Sequence, residues 1–82
     1  MQKVKVLFFA TLRDYVGAKY VELEIPIGTT IHDLMDLLAS TYPRLEKVKD
    51  SMMAAVDREY AADEEVIPEG AEIAFFPPVS GG

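Results

Sequence analysis

Residues 30–42 read Thr-Ile-His-Asp-Leu-Met-Asp-Leu-Leu-Ala-Ser-Thr-Tyr, and their pattern is the strongest structural signal in the chain. Its apolar side chains recur every three or four positions, which is the spacing of one face of an α-helix. They are Ile31, Leu34, Met35, Leu38 and Tyr42, with Leu37 beside them. Thr30 and Asp33 have the spacing of an acidic capping box, and Pro43 ends the helix near Tyr42. The stretch predicts an amphipathic helix whose apolar face packs against a sheet.

Two segments before this helix, residues 3–9 and 20–25, alternate in side-chain character as strands do. Their shared faces are Val4, Val6 and Phe8 in the first and Val21, Leu23 and Ile25 in the second. Residues 11–16 between them predict one helical turn that stops at Gly17. A loop of about a dozen residues suits an antiparallel hairpin.

After the helix, residues 52–57 predict a buried strand of small apolar side chains, and residues 72–77 predict the last strand. Arg58-Glu59 is interpreted as a tight turn, with Tyr60-Ala61 as a short return. The order is strand, strand, helix, strand, strand, and the last strand pairs most simply in parallel with the first. This order predicts an α+β chain with a β-grasp (ubiquitin-like) fold: a single mixed sheet with one main helix packed on one face.

The composition indicates one small globular domain. The 82 residues are 50% apolar and 27% charged, which is a globular rather than a disordered balance. There is no cysteine, so the chain offers no disulfide, thiolate metal site or thiol nucleophile. No stretch approaches the ~18 apolar residues of a membrane span. We expect a single domain over residues 1–82, located in the cytoplasm and not in a membrane.

The charge of the chain favours a protein partner. Fourteen acidic residues against 8 basic ones give a net charge of −6. Nucleic acid binding needs clustered Lys and Arg to neutralise phosphates, so we expect no nucleic acid partner. An acidic domain is steered instead toward basic protein surfaces.

No cluster of side chains in the sequence has the make-up of an active site. The single histidine, His32, falls in the first turn of the helix, where a solvent-facing role is typical. Asp33 and Asp36 on one helix face, and the acidic loop at residues 63–65, are typical of solvated charge. A hard cation needs several converging oxygens, and Ser80 has no base near it in the sequence. We expect no metal site, no bound cofactor and no catalysis by this chain alone.

The sequence ends in Pro77-Pro78-Val79-Ser80-Gly81-Gly82, directly after the last predicted strand. Glycine has no Cβ, so its backbone adopts angles closed to other residues and enters narrow slots. The stretch from Pro77 to Gly82 spans roughly 20 Å when fully extended. We expect residues 77–82 to form a flexible tail that inserts into the active site of another protein.

The carboxylate of Gly82 is the remaining chemical handle. A carboxylate is unreactive at neutral pH because its charge repels nucleophiles and oxide is a poor leaving group. Adenylation by ATP removes both obstacles, and a sulfur donor or an amine then captures the adenylate. Gly81 and Gly82 leave nothing bulky near the reacting atom, and the absence of cysteine means that sulfur has to come from elsewhere.

Three aromatic residues predict a docking surface beside this tail. Alternation turns Phe9 outward from Phe8, and it turns Phe76 outward from Phe75. If the first and last strands are neighbours, Phe9 and Phe76 share one exposed face, and Tyr60 on the short return strand joins them. Exposed apolar side chains grouped in this way indicate a partner interface.

At this point the sequence resembles the small subunit of molybdopterin synthase, the sulfur carrier of the ubiquitin-like family. The resemblance covers nearly the whole chain and is carried by residues 5–10, 54–57 and 72–82. The ending from Phe75 to Gly82 is the specific part. The chain departs mildly from the family pattern at Asp57, where asparagine is common, and at Tyr60, where an aliphatic residue is frequent.

The resemblance implies a function in molybdenum cofactor biosynthesis. A partner that resembles the ubiquitin-activating enzymes adenylates Gly82 with ATP and magnesium, and a sulfur donor protein then converts it to a thiocarboxylate. The loaded tail, residues 77–82, enters the large synthase subunit and donates sulfur to the pterin precursor. Two small subunits at opposite ends of a large-subunit dimer form the expected heterotetramer, with Phe9, Tyr60 and Phe76 at the docking surface.

Three other interpretations stay open from the sequence. The chain is a ubiquitin-like protein modifier joined through Gly82 to lysines of target proteins, or a sulfur carrier of the thiamine pathway. The third alternative is a β-grasp binding module with an inert tail. The first shares the adenylate with the molybdopterin carrier and differs only in what captures it.

Overall fold

The computed structural model describes residues 1–77, which form a five-stranded sheet with one long helix on one face. The strands are β1 (Gln2–Phe8), β2 (Tyr20–Ile25), β3 (Met53–Val56), β4 (Glu59–Ala61) and β5 (Glu72–Phe76). The helices are α1 (Thr11–Val16) and α2 (Ile31–Thr41), and a 3₁₀ helix (Pro43–Lys47) follows α2 directly.

The sheet is mixed, with the strand order β2-β1-β5-β3-β4. β1 and β5 lie side by side in parallel, with Val6 opposite Ile73 and Phe8 opposite Phe75. All other neighbouring pairs are antiparallel. This is the β-grasp arrangement, and the parallel pairing of the first and last strands that the sequence predicts is confirmed.

The hydrophobic core lies between α2 and one face of the sheet. The strands contribute fully buried side chains, including Val4, Val6, Phe8, Ile73 and Phe75, and α2 contributes Ile31, Leu34, Met35 and Leu38. The rings of Phe8 and Phe75 stack with their centroids 6.3 Å apart. Burying each such side chain stabilises the fold by about 1.5–3 kcal/mol, so the apolar stripe of α2 fixes its position.

The predicted capping box at the start of α2 is present. The Thr30 side chain accepts a hydrogen bond from the Asp33 N–H at 3.1 Å, and the Asp33 carboxylate accepts one from the Thr30 N–H at 3.3 Å. Two backbone donors that lack partners within the helix are thereby satisfied.

The strand ends differ from the sequence-based expectation by one residue in several places. β1 ends at Phe8 rather than Phe9, and β5 ends at Phe76 rather than Pro77. The turn between β3 and β4 is formed by Asp57 and Arg58, not by Arg58 and Glu59. Pairing of Val56 with Glu59 leaves two residues for the turn, and the sequence pattern alone does not contain that register.

Within residues 1–77, no helix combines the length and hydrophobicity that crossing a membrane requires.

Candidate functional site

The sheet face opposite α2 carries three aromatic rings, Phe9, Tyr60 and Phe76, which we call the aromatic patch. The rings of Phe9 and Phe76 are stacked, with centroids 4.8 Å apart and an interplanar angle of 10°. Tyr60 approaches Phe76 at 6.4 Å with the rings tilted by 58°. The shallow depression around the patch is completed by Leu7, Ala55, Arg58, Glu72 and Ala74.

Parallel pairing of β1 and β5 brings the patch together. Phe8 lies opposite Phe75, and the N–H of the next residue, Phe9, donates to the Phe75 carbonyl at 3.2 Å. Phe9, directly after β1, and Phe76, at the end of β5, therefore lie side by side. The structure brings together all three aromatic residues that the sequence predicted for one face.

The patch leaves apolar surface in contact with solvent. Phe9 and Phe76 are half-buried, and Tyr60 is 74% exposed. A role of these residues in partner binding stays a prediction, and it is physically reasonable because clustered exposed aromatic residues are typical of interfaces.

Arg13 contacts the Phe9 ring and the end of β1, and the sequence analysis did not predict this contact. Its Nε donates to the Phe8 carbonyl at 2.9 Å, and its guanidinium carbon lies 5.6 Å from the centre of the Phe9 ring. The side chain thus holds the end of β1 and contacts the Phe9 ring by a cation–π interaction. Its position in the short helix α1, four residues after Phe9, is the one sequence feature that could have indicated this contact.

The turn between β1 and α1 places Ala10 in an unusual backbone conformation. Its φ and ψ are 53° and −131°, close to the first central position of a type II′ turn, which glycine occupies at little cost. The Leu12 N–H donates to the Phe9 carbonyl across this turn at 3.1 Å. The patch is therefore supported by a strained turn, which the contacts of Arg13 help to retain.

The β3–β4 turn positions Tyr60 on the other side of the patch. Asp57 and Arg58 have φ angles of 48° and 74°, as the two central residues of a type I′ turn do. The Asp57 N–H donates to the Glu72 carbonyl at 2.9 Å, and the Asp57 carboxylate accepts from the Glu72 N–H at 3.0 Å. This reciprocal pair ties the hairpin to the start of β5, so Tyr60 and Phe76 keep their register.

The tail predicted from the sequence begins where the patch ends. β5 ends at Phe76, and the half-buried Pro77 is the last residue that the structure describes. The predicted insertion residues Pro78, Val79, Ser80 and Gly81, and the predicted reacting residue Gly82, lie outside the described residues. Their roles, and the flexibility of residues 77–82, stay predictions.

The charged side chains around α2 form an exposed network. His32 Nε2 lies 3.2 Å from Asp36, and Lys49 Nζ donates to Asp36 at 3.1 Å and lies 3.4 Å from Glu46. The hydrogen bond to Asp36 raises the pKa of Lys49. This pairing therefore stabilises the fold below the pKa of the unfolded lysine, and the stabilisation is lost as the pH rises through the folded value.

The described residues offer no metal-binding cluster. Over positions 1–77 the structure has no group of three or more His, Cys, Asp or Glu side chains that could hold a metal ion. The aromatic patch contains no nucleophile paired with a base. The exposed rings of the patch suit contact with another protein.

Sequence comparison identifies relatives of matching length. The model of the ThiS family matches residues 6–82. The chain is 40% identical to the molybdopterin synthase sulfur carrier subunit of Caenorhabditis briggsae, over 100% of both chains. It is 35% identical to the molybdopterin synthase sulfur carrier subunit of Arabidopsis thaliana, over 98% of this chain and 83% of the plant protein.

Solved structures with the same fold include two of archaeal origin. The small archaeal modifier protein 1 of H. volcanii superposes with a TM-score of 0.84 at 28% identity, covering 96% of this chain and 100% of that one. A protein provisionally described as molybdopterin converting factor, subunit 1, from Pyrococcus furiosus superposes with a TM-score of 0.87 at 28% identity, with the same coverage of 96% and 100%.

Proposed function

The chain belongs to the ThiS family, with molybdopterin synthase sulfur carrier subunits as full-length relatives, and we propose that it carries sulfur for molybdenum cofactor biosynthesis on the carboxylate of Gly82. The observation that carries this proposal is the alignment with the C. briggsae carrier, which covers 100% of both proteins and therefore includes the Gly81-Gly82 ending of this chain. The position of the aromatic patch at the start of the tail supports it.

The proposed chemistry begins at the Gly82 carboxylate. An adenylyltransferase related to the ubiquitin-activating enzymes joins this carboxylate to the α-phosphate of ATP, with magnesium, and pyrophosphate leaves. A sulfur donor protein then delivers sulfur at the oxidation level of sulfide, which attacks the acyl carbon, breaks the acyl–phosphate bond and releases AMP, and the product is a thiocarboxylate. ATP and magnesium are consumed by the partner, and this chain binds no cofactor of its own.

The loaded tail then acts as a tethered reactant. Residues 77–82 enter the large subunit of molybdopterin synthase, where the thiocarboxylate gives its sulfur to the pterin precursor. Tethering raises the effective concentration of the reacting group and removes part of the entropic barrier. The catalytic side chains belong to the large subunit, so this chain is a subunit of an enzyme and has no activity alone.

Docking through the aromatic patch brings the tail to that active site. Phe9 and Phe76 lie next to Pro77, so a partner that covers the rings also receives the first residue of the tail. We propose a heterotetramer with two small subunits at opposite ends of a large-subunit dimer, working in the cytoplasm.

Intact-protein mass spectrometry tests the proposal. The purified chain is incubated with ATP, magnesium, the adenylyltransferase and a sulfur donor, and we expect the mass gain of one sulfur replacing one oxygen. A variant that lacks Gly82 presents its carboxylate one residue short, so we expect at least ~100-fold less sulfur transfer to the pterin precursor.

The control is Glu64→Gln, at an exposed loop position outside the tail and the aromatic patch. We expect Glu64→Gln to be loaded at the rate of the unmodified chain. Unchanged molybdopterin formation by the chain that lacks Gly82 would show that the tail is inert and would end the carrier proposal.

A second candidate function is protein modification. The likeness to the small archaeal modifier protein 1 of H. volcanii supports it, because both uses require an adenylated C-terminal glycine. Peptide mass spectrometry of cells that produce the chain separates the two uses. Gly-Gly remnants linked to lysines of other proteins would indicate a modifier, and their absence in cells that make molybdopterin would leave the carrier alone.

A further inference from the structure

The outer edge of β2 is open for pairing. β2 is the terminal strand of the sheet, and across residues 1–77 no other strand pairs with its outer side. The Phe8 N–H donates to the Lys19 carbonyl at 2.9 Å, which sets the alternation of hydrogen-bonded pairs between β1 and β2. Tyr20, Glu22 and Glu24 consequently direct their backbone N–H and C=O groups away from β1, as a template for an added strand.

An apolar groove runs along this open edge, between β2 and α2, and we call it the edge groove. Leu37 of α2 is 44% exposed and divides it into two depressions. One side is formed by Val21, Leu23, Leu38, Thr41 and Tyr42, and the other by Ile25, Pro26, Ile27, Gly28 and Thr29. Ile27 is 62% exposed on one side of Leu37, and Val21 and Leu23 are partly exposed on the other, so both depressions present apolar surface to solvent.

The charged residues that line the edge groove within residues 1–77 are all acidic, namely Glu22, Glu24 and Asp33. Neither glutamate takes part in an ion pair in this range. Lys3 and Lys5 on β1 lie opposite Glu24 and Glu22, and the ammonium group of Lys5 is directed at the Tyr20 ring, 4.5 Å from the ring centre.

We propose that the edge groove binds an extended, basic segment of a partner protein as a sixth strand beside β2. Side chains of an added strand alternate between the two sheet faces. Those on the α2 side pack as apolar groups around Leu37, and those on the other side place Lys or Arg beside Glu22 and Glu24. The expected occupant is therefore a segment that alternates apolar and basic residues.

The charges favour this occupant over two others. A second copy paired edge to edge would place Glu22 and Glu24 against the same carboxylates, and like charges in directly opposed positions are destabilising. The residues after Pro77 include no Lys or Arg, so the chain's own ending does not complement the edge groove. A basic partner segment satisfies both the backbone groups and the carboxylates.

Nuclear magnetic resonance of the full 82-residue chain tests the proposal with a synthetic peptide, acetyl-Val-Lys-Ile-Arg-Val-Lys-amide. We expect saturable amide shifts in β2 and at Leu37. We also expect slower hydrogen exchange at Tyr20, Glu22 and Glu24 when the peptide is bound. Binding weakens as salt is raised, because the Debye length falls to about 3 Å at 1 M ionic strength.

Two matched peptides separate the contribution of charge to the affinity from that of the backbone hydrogen bonds. A peptide with glutamate at each basic position keeps the apolar side chains and the backbone groups but reverses the charge. A peptide with the central isoleucine N-methylated keeps the charge but loses one backbone donor. We expect both to bind more weakly than the parent peptide.

Variants of the chain give the complementary test. The double substitution Glu22→Gln with Glu24→Gln removes the charge and is expected to weaken binding roughly fivefold. Leu37→Ser removes an exposed apolar contact and is expected to weaken it about tenfold. Tyr60→Ala alters the aromatic patch on the other part of the sheet and is expected to leave peptide binding unchanged.

Several outcomes would overturn the proposal. They are the absence of saturable shifts, shifts confined to the aromatic patch, and equal binding of the acidic peptide. Protection of the Tyr20, Glu22 and Glu24 amides in the free chain would also overturn it. If that protection rises with protein concentration, the occupant is a second copy, and if it disappears on deletion of residues 78–82, the occupant is the chain's own ending.

Discussion

Single residues with strained backbones shape the two turns beside the aromatic patch. Ala10, Asp57 and Arg58 are the non-glycine residues with positive φ in the part of the chain that the structure describes. Ala10 follows Phe9 directly, Arg58 lines the depression around the patch, and Asp57 precedes Arg58 in the same turn. A side chain with a Cβ is retained at such angles only where neighbouring contacts fix the backbone, which here are the bonds of Arg13 and Asp57.

Replacing Ala10 by glycine tests the strain at the first turn. Glycine removes the Cβ that makes φ 53° and ψ −131° costly, and this gain exceeds the added freedom of the unfolded chain. We expect Ala10→Gly to raise the free energy of unfolding by about 1 kcal/mol, measured by denaturant titration.

The control for Ala10→Gly is Ala62→Gly, at an exposed loop position whose φ is not positive. There glycine only adds freedom to the unfolded state, so we expect a loss of about 0.4–1 kcal/mol. Equal effects of the two substitutions would show that Ala10 is not strained.

Asp57 is expected to stabilise the hairpin through its carboxylate as well as its backbone. Asp57→Ala removes the acceptor that the Glu72 N–H uses at 3.0 Å and places alanine at a φ of 48°. We expect a loss of about 1–2 kcal/mol in the free energy of unfolding. Asp57→Asn keeps an acceptor and tolerates this conformation, so a loss of similar size in that variant would contradict the explanation.

The elements of the fold follow from local sequence signals that act together. α2 has an apolar stripe, a capping box at Thr30 and Asp33, and a proline directly after its C-cap residue Tyr42. β1 alternates buried and more exposed residues over its whole length. Agreement between local preference and tertiary packing is what makes these elements predictable.

The capping box is expected to stabilise α2. Thr30→Ala leaves the Asp33 N–H without its side-chain partner at the start of α2, so we expect a loss of about 1 kcal/mol in the free energy of unfolding. Thr41→Ala is the matched control, because the Thr41 hydroxyl donates to the Leu37 carbonyl inside the helix and caps nothing. Thermal unfolding followed by circular dichroism measures both, and equal destabilisation would argue against the cap.

In the molecule as a whole, the sheet separates two surfaces. The core and α2 occupy one face, and the aromatic patch occupies the other, next to the strand end from which Pro77 continues. A partner that docks on the patch therefore does not disturb the core. This separation explains how an exposed aromatic cluster is compatible with a stable small domain.

Substitution of Tyr60 tests whether the aromatic patch binds a partner, because the change does not perturb the fold. Its side chain is 74% exposed, so Tyr60→Ala is expected to leave the free energy of unfolding unchanged. We expect it to weaken binding to the large subunit of molybdopterin synthase by about 2 kcal/mol, measured by calorimetric titration. Lys47→Ala, at an exposed position of the 3₁₀ helix outside the aromatic patch and the edge groove, is the control, and equal weakening by both would place the interface elsewhere.

The helix, the strands and the β-grasp order can be predicted from the sequence, and so can the carboxylate that we propose to react. The signals for these elements act over only a few residues, so they can be recognised in the sequence. They are the helical and strand periods, the Thr30 cap and the proline after α2. The Gly-Gly ending is equally local, and its chemistry requires only a terminal carboxylate with no bulky neighbour.

The contacts between side chains across the sheet could not be predicted in this way. Four features depend on strand register and on contacts between distant segments. They are the hydrogen bond from Arg13 to the Phe8 carbonyl, the strained backbone of Ala10, the reciprocal bonds of Asp57 with Glu72, and the open edge beside Leu37. A shift of one residue in pairing would move each of them, because side chains alternate between faces at every step. The physical reason is that periodicity encodes which side of a strand is buried, whereas long-range packing sets its neighbours.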